Sequence, residues 1–94
     1  MMYRTPSKAE IYRKLEVIGM NVTEFAKLIN ISPRQMYTHI DRLVNNKLAI
    51  DVLIHIIYKD RSVIKEVEKF RREERKLKGR EFCEQAIYRL NGLR

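Results

Sequence analysis

Cysteine, glycine, proline and tryptophan are scarce: one, three, two and none in 94 residues. A lone cysteine, Cys83, rules out an intrachain disulfide framework or a thiolate metal cluster and suits a reducing compartment, the cytosol. So few glycines and prolines disfavour a loop-rich all-β fold and favour helices. His39 and His55 stand sixteen residues apart with no Cys or Glu ligands clustered beside them, so no metal site is expected. Glycine-rich phosphate loops and nucleophile elbows are missing too, which leaves no pointer to an enzyme or a cofactor. Long apolar runs are also lacking. "MMYRTPSKAE" has no signal-peptide core, and "LAIDVLIHIIY" is about half a membrane span and carries Asp51 and His55. Together these absences predict a soluble, cytoplasmic protein with no membrane partner.

What the chain does have is positive charge. Twenty Lys and Arg oppose 12 Asp and Glu, a formal net charge of +8 and a pI near 9.9. That excess favours an anionic partner, nucleic acid before a membrane surface. A hydrophobic content of 45% suffices for one small core.

Helix-start signals recur. Ser7 is followed three residues later by Glu10, Asn21 by Glu24, and Ser32 by Gln35. Each pair can satisfy orphaned backbone N–H groups reciprocally at a helix N-terminus. Pro33 falls at the first helical position after Ser32, where its missing N–H costs nothing. The spacing predicts a first helix over Lys8–Ile18 with Gly19 as its stop, a second over Val22–Ile29, and a third over Pro33–Val44. Their apolar faces are Ile11, Leu15 and Ile18; Phe25, Ala26 and Ile29; and Met36, Ile40, Leu43 and Val44. Asn45 and Asn46 then break the pattern.

Leu48–Lys59 fits two periods. Alternation of Leu48, Ile50, Val52, Ile54, Ile56 and Tyr58 suits a strand. A helix places Asp51, His55 and Lys59 on one polar stripe, with His55 paired to Asp51, and its length favours this reading. So apolar a helix must be covered on two sides, once by the first three helices and once by the tail or another subunit. Asp60 or Ser62 then caps a charged helix whose seam is Val63, Val67, Phe70 and Leu77, with Glu74 in one core slot. Gly79 interrupts it, and Phe82, Ala86, Ile87 and Leu90 resume a helical face. Cys83 reads as a small core residue. This tail either packs back on its own domain or pairs two chains.

"MNVTEFAKLINISPRQMYTHI" has the spacing of two helices meeting at a tight joint. Ala26 is small where the helices cross. Four residues on, Asn30 tolerates the left-handed conformation that a sharp turn demands. Phe25, Ile29, Ile31, Met36 and Ile40 supply the flanking apolar positions. Over Met20–Arg42 the chain resembles the helix-turn-helix of the phage repressor and Cro type, with Asn30 in place of the usual glycine and polar His39 beside Ile40.

The elements read above predict an all-α fold. A DNA-binding bundle of four to five helices would occupy residues 1–60, and a charged helical tail, a candidate dimerisation element that the resemblance does not cover, residues 61–94. The resemblance implies that the third helix enters the major groove of double-stranded DNA. With Met36, Ile40 and Leu43 inward, Arg34, Thr38, Asp41 and Arg42 face outward, flanked by Gln35 and Tyr37. Arg34 suits guanine, Gln35 adenine and Thr38 a thymine methyl. Asn21, Thr23, Lys27, Ser32, Tyr37, Arg42 and Lys47, the last in a following loop, are candidate phosphate or other DNA contacts. Asp41 is unhelpful near phosphate; it could accept from cytosine or pair with Arg34 or Arg42.

Two further basic stretches stand out: Arg4 in the N-terminal arm, and Lys69–Arg80 with seven basic residues against two acidic. The latter is either a phosphate-binding arm or a solvated helix face. The leading functional expectation is a homodimeric transcriptional regulator on an inverted repeat, paired through Leu48–Tyr58, the tail, or both. The alternative is an antitoxin-like or adaptor module whose tail binds a partner protein. A winged-helix variant with strands over Leu48–Tyr58 ranks lower, because no turn pair for a wing is present.

Overall fold

Ser7, Asn21 and Ser32 each open a helix. The Ser7 hydroxyl accepts the Glu10 N–H at 3.2 Å. Asn21 and Glu24 form a complete capping box, at 2.8 and 3.0 Å. Ser32 and Gln35 do the same, at 3.1 and 2.9 Å. The computed structural model describes residues 6–42 and 44–92, with the backbone alone at 42, 44 and 45. These residues form six helices and no strand: α1 (Lys8–Val17), α2 (Val22–Leu28), α3 (Pro33–Arg42), α4 (Val44–Lys59), α5 (Val63–Glu73) and α6 (Gly79–Gly92). No helix among them is long and apolar enough to cross a membrane.

The first two helices end within a residue of the expected positions. α3 is described over Pro33–Arg42, and Asn45 and Asn46 lie inside α4 rather than in a break. Asparagine is tolerated within a helix when its side chain finds a partner, and the Asn46 amide is in hydrogen-bond contact with His39 Nδ1. Lys47 accordingly sits in α4 and not in a loop. The expected burial of Leu43 and Val44 concerns side chains outside the described residues.

Residues 48–58 are helical, and α4 is the core of the molecule. Ala49, Ile50, Leu53, Ile54 and Ile57 are buried, covered by α1 and α3 on one side and by α5 and α6 on the other. The expected polar stripe is only partly solvated. His55 and Lys59 are exposed, whereas Asp51 is 1% exposed and accepts Lys14 Nζ of α1 at 2.7 Å. Burying a carboxylate without such a partner would cost several kcal/mol, so the contact sets how α1 lies across α4.

The charged tail is two helices that fold back. Val63, Val67, Phe70, Phe82, Cys83, Ala86 and Leu90 join Ile11, Phe25, Met36 and Ile50 in one cluster. Phe70 and Phe82 stack with centroids 5.2 Å apart, and Arg89 covers Phe70 while pairing with Glu73 at 3.1 Å. At the start of α5, Ser62 is the N-cap residue and its side chain makes no cap bond; the Asp60 carboxylate instead accepts Ser62 N–H at 3.1 Å and Ser62 Oγ–H at 2.6 Å.

The α5–α6 loop docks on the turn between α2 and α3. Asn30 has φ +61°, and its Nδ2 donates to the carbonyls of Leu77 at 3.1 Å and Glu74 at 3.4 Å. Gly79 N–H donates to the Ile29 carbonyl at 2.9 Å. Gly79 itself has φ +57°, and a Cβ there would lie 2.5 Å from His39 Cε1. Glycine is required on both counts. Gly79→Ala is expected to lower the unfolding free energy by about 2–4 kcal/mol, from left-handed strain plus displacement of His39. Urea denaturation measures it; unchanged stability would contradict this close packing of Gly79 on His39.

Candidate nucleic-acid interface

α2 and α3 meet as their small and apolar residues dictate. Ala26 and Phe25 are fully buried at the crossing, and the Ala26 carbonyl accepts Ile31 N–H at 2.9 Å across the turn. Met36 and Ile40 seat α3 on the core. Successive residues advance by about 100° around a helix. Arg34, Gln35, Thr38 and Asp41 therefore turn outward, and all four are exposed. Tyr37 and His39 mark the two edges of this face.

Each edge is bordered by a different element. On the Tyr37 edge stands α1: Tyr12 meets Tyr37 edge-on with centroids 6.2 Å apart, and Lys8 Nζ pairs with Asp41 at 3.0 Å. That hydrogen bond to Asp41 raises the Lys8 pKa above its ordinary value. On the His39 edge stands the α5–α6 loop, in contact through Gly79.

The predicted side chains differ in how free they are. Arg34 is exposed and makes no ion pair among the described residues. Gln35 Oε1 is engaged by Ser32 N–H, which leaves its amide N–H groups for a base edge. The Thr38 hydroxyl donates back to the Arg34 carbonyl at 3.4 Å, so its methyl is the group left to project. Asp41 pairs with Lys8, a residue that sequence spacing did not offer as its partner.

Asn21, Thr23 and Lys27 are exposed on α2, and Ser32 at the turn before α3. Asn21 Oδ1 is consumed by its cap. Beside Asn21 opens a cleft of about 780 Å³ between α1, α2 and Tyr37, and Glu16 and Glu24 line it together with Lys8. Two carboxylates make that side a poor seat for phosphate. Lys47 is half-buried on α4. The Arg42 side chain and Arg4 lie outside the described residues.

Among the described residues no group of His, Cys, Asp and Glu is arranged to hold a metal ion. Cys83 is buried, and burial pushes its thiol pKa well above the ordinary range. The described chain is an all-helical bundle with one polar, solvent-facing helix held between two shoulders. No family model matches it, and neither does any curated protein or solved structure.

His39 ties this helix to the loop behind it. Burial lowers its imidazole pKa below the ordinary value of 6.5. The unfolded chain therefore binds that proton more tightly than the folded chain. Stability is complete above about pH 6.5 and is lost as pH falls below it, through the folded-state value. From about pH 7.5 to about pH 5.5 the unfolding free energy is expected to drop further for the unsubstituted protein than for His39→Gln, which lacks the titration. Parallel pH profiles in urea denaturation would contradict this role.

Proposed function

We propose that this chain is a sequence-specific double-stranded DNA-binding protein of the helix-turn-helix kind, with α3 as the helix that enters the major groove. The observation that carries the reading is the joint between α2 and α3. A fully buried Ala26, a left-handed Asn30 and a capped Pro33 hold α3 with Arg34, Gln35 and Thr38 outward. A helix of this diameter fits the major groove, and side chains near its N-terminus reach base edges first. Arg34 is the principal reader, through bidentate bonds to a guanine. Gln35 contributes through its amide N–H groups, and Thr38 through its methyl against a thymine.

A transcriptional regulator acting as a homodimer on an inverted repeat follows naturally from one reading helix per chain. The face best suited to pairing lies between α4 and α6. Leu48, Val52 and Ile87 line a groove of about 630 Å³ there, with Tyr88 at 79% exposure beside them. That same exposed tyrosine supports the second reading, in which the groove takes a different protein and the chain acts as an interaction module. Light scattering separates them: a mass near twice 11.3 kDa supports self-pairing, and a monomer favours the second reading.

Arg34→Ala is expected to reduce the preference for a selected site over random duplex by roughly 10-fold or more, equivalent to removing one bidentate pair of about 1–3 kcal/mol. Lys27→Ala should weaken both duplexes about equally. Competitive fluorescence anisotropy reads both effects, and equal losses on the two duplexes for Arg34→Ala would remove Arg34 as a reader.

A further inference from the structure

The α5–α6 corner gathers cations from two separate stretches around one hollow. Arg71 and Arg72 come from the last turn of α5, Arg75 and Lys78 from the loop, and together they line a cavity of about 430 Å³ against Asn30. The arrangement is held in place. Asn30 Nδ2 bonds the carbonyls of Glu74 and Leu77, and the loop closes on itself through Leu77 N–H to the Glu74 carbonyl at 3.2 Å. Glu73 of α5 is taken by Arg89, while Glu24 and Glu68 share a neighbouring cleft with Arg71. The Arg71 Nε is buried and has no acceptor among the described residues. Four cations brought together are repulsive among themselves and favour an anion in the hollow.

We infer that this corner binds a backbone phosphate of a DNA duplex on the His39 side of α3, which presupposes duplex binding through α3. Position and charge both point there. Asn30 lies three residues before α3 begins, and Gly79 touches His39 midway along it, so the loop runs beside α3. A duplex whose groove receives α3 must pass a sugar–phosphate strand along each edge of that helix. On the Tyr37 edge the adjoining cleft carries Glu16 and Glu24, and Lys8 is engaged by Asp41. Arg71, Arg72, Arg75 and Lys78 gather beside Asn30, and the chain then reaches His39 through Gly79. The basic edge is where phosphate is favoured, and the exposed guanidinium forks of Arg72 and Arg75 can donate to its oxygens.

The test uses the full chain and a labelled random-sequence duplex of about 20 base pairs, titrated between about 50 and 200 mM KCl. Arg75 and Lys78 are exposed, so Arg75→Ala/Lys78→Ala should fold normally, checked by its melting temperature. Its slope of log affinity against log salt is expected to become shallower by about 0.9 for each phosphate that the protein no longer neutralises. Arg75→Lys/Lys78→Arg, which keeps both charges, should retain the slope. If the alanine pair keeps slope and affinity while Arg34→Ala loses the preference for a selected site over random duplex, the corner does not touch DNA although α3 does. Failure of the unsubstituted chain to bind any duplex overturns both. If inorganic phosphate shifts the amide signals of residues 71–78 while the duplex slope ignores the alanine pair, the corner serves the free ion and its role on DNA is overturned.

Discussion

The left-handed turn at Asn30 is the constraint on which the rest depends. Its φ of +61° sets the direction in which α3 leaves α2, and its amide holds the carbonyls of Glu74 and Leu77. One residue thus fixes both the presentation of Arg34, Gln35 and Thr38 and the path of a loop more than forty positions away. Glycine would permit the same turn and could not make either bond. Gly79 completes the arrangement from the other side, because only a residue without a Cβ can approach His39 so closely. The turn, the loop and α3 therefore form one directly bonded unit.

That unit is electrically lopsided. A net charge of +8 says only that an anion is favoured somewhere. The fold distributes it: Lys8 is paired with Asp41 and Lys14 with Asp51, both on α1, while four cations of the α5–α6 corner face one hollow. Phosphate would be steered to one edge of α3, and base contact to its exposed face. Burial gives α5 and α6 a second task, since Phe70 and Phe82 complete the cover over α4. The tail is part of the core, and under the proposed phosphate seat it would also border the duplex.

How much of this was legible in sequence depended on range. The starts of α1, α2 and α3 were legible because capping is local: Ser7, Asn21 and Ser32 meet partners three residues away. Ala26 and Asn30 were legible for the same reason. The helical state of residues 45 and 46 was not, because two asparagines read as a break, whereas Asn46 lies in α4 and meets His39. Lys14 with Asp51 lies beyond any local pattern at a separation of 37. The seven basic residues of Lys69–Arg80 were plain in the sequence, but no periodicity could bring Arg71 and Arg75 to Asn30. Lys8 as the partner of Asp41 was equally hidden, since only the packing of α1 beside α3 joins them.

The most direct test of the central claim is selection of bound duplexes from a random pool by the full-length chain. Reading by α3 predicts enrichment of a short motif containing a guanine whose preference disappears when Arg34 is replaced by alanine. Recovery of sequences no different from the input pool would contradict it.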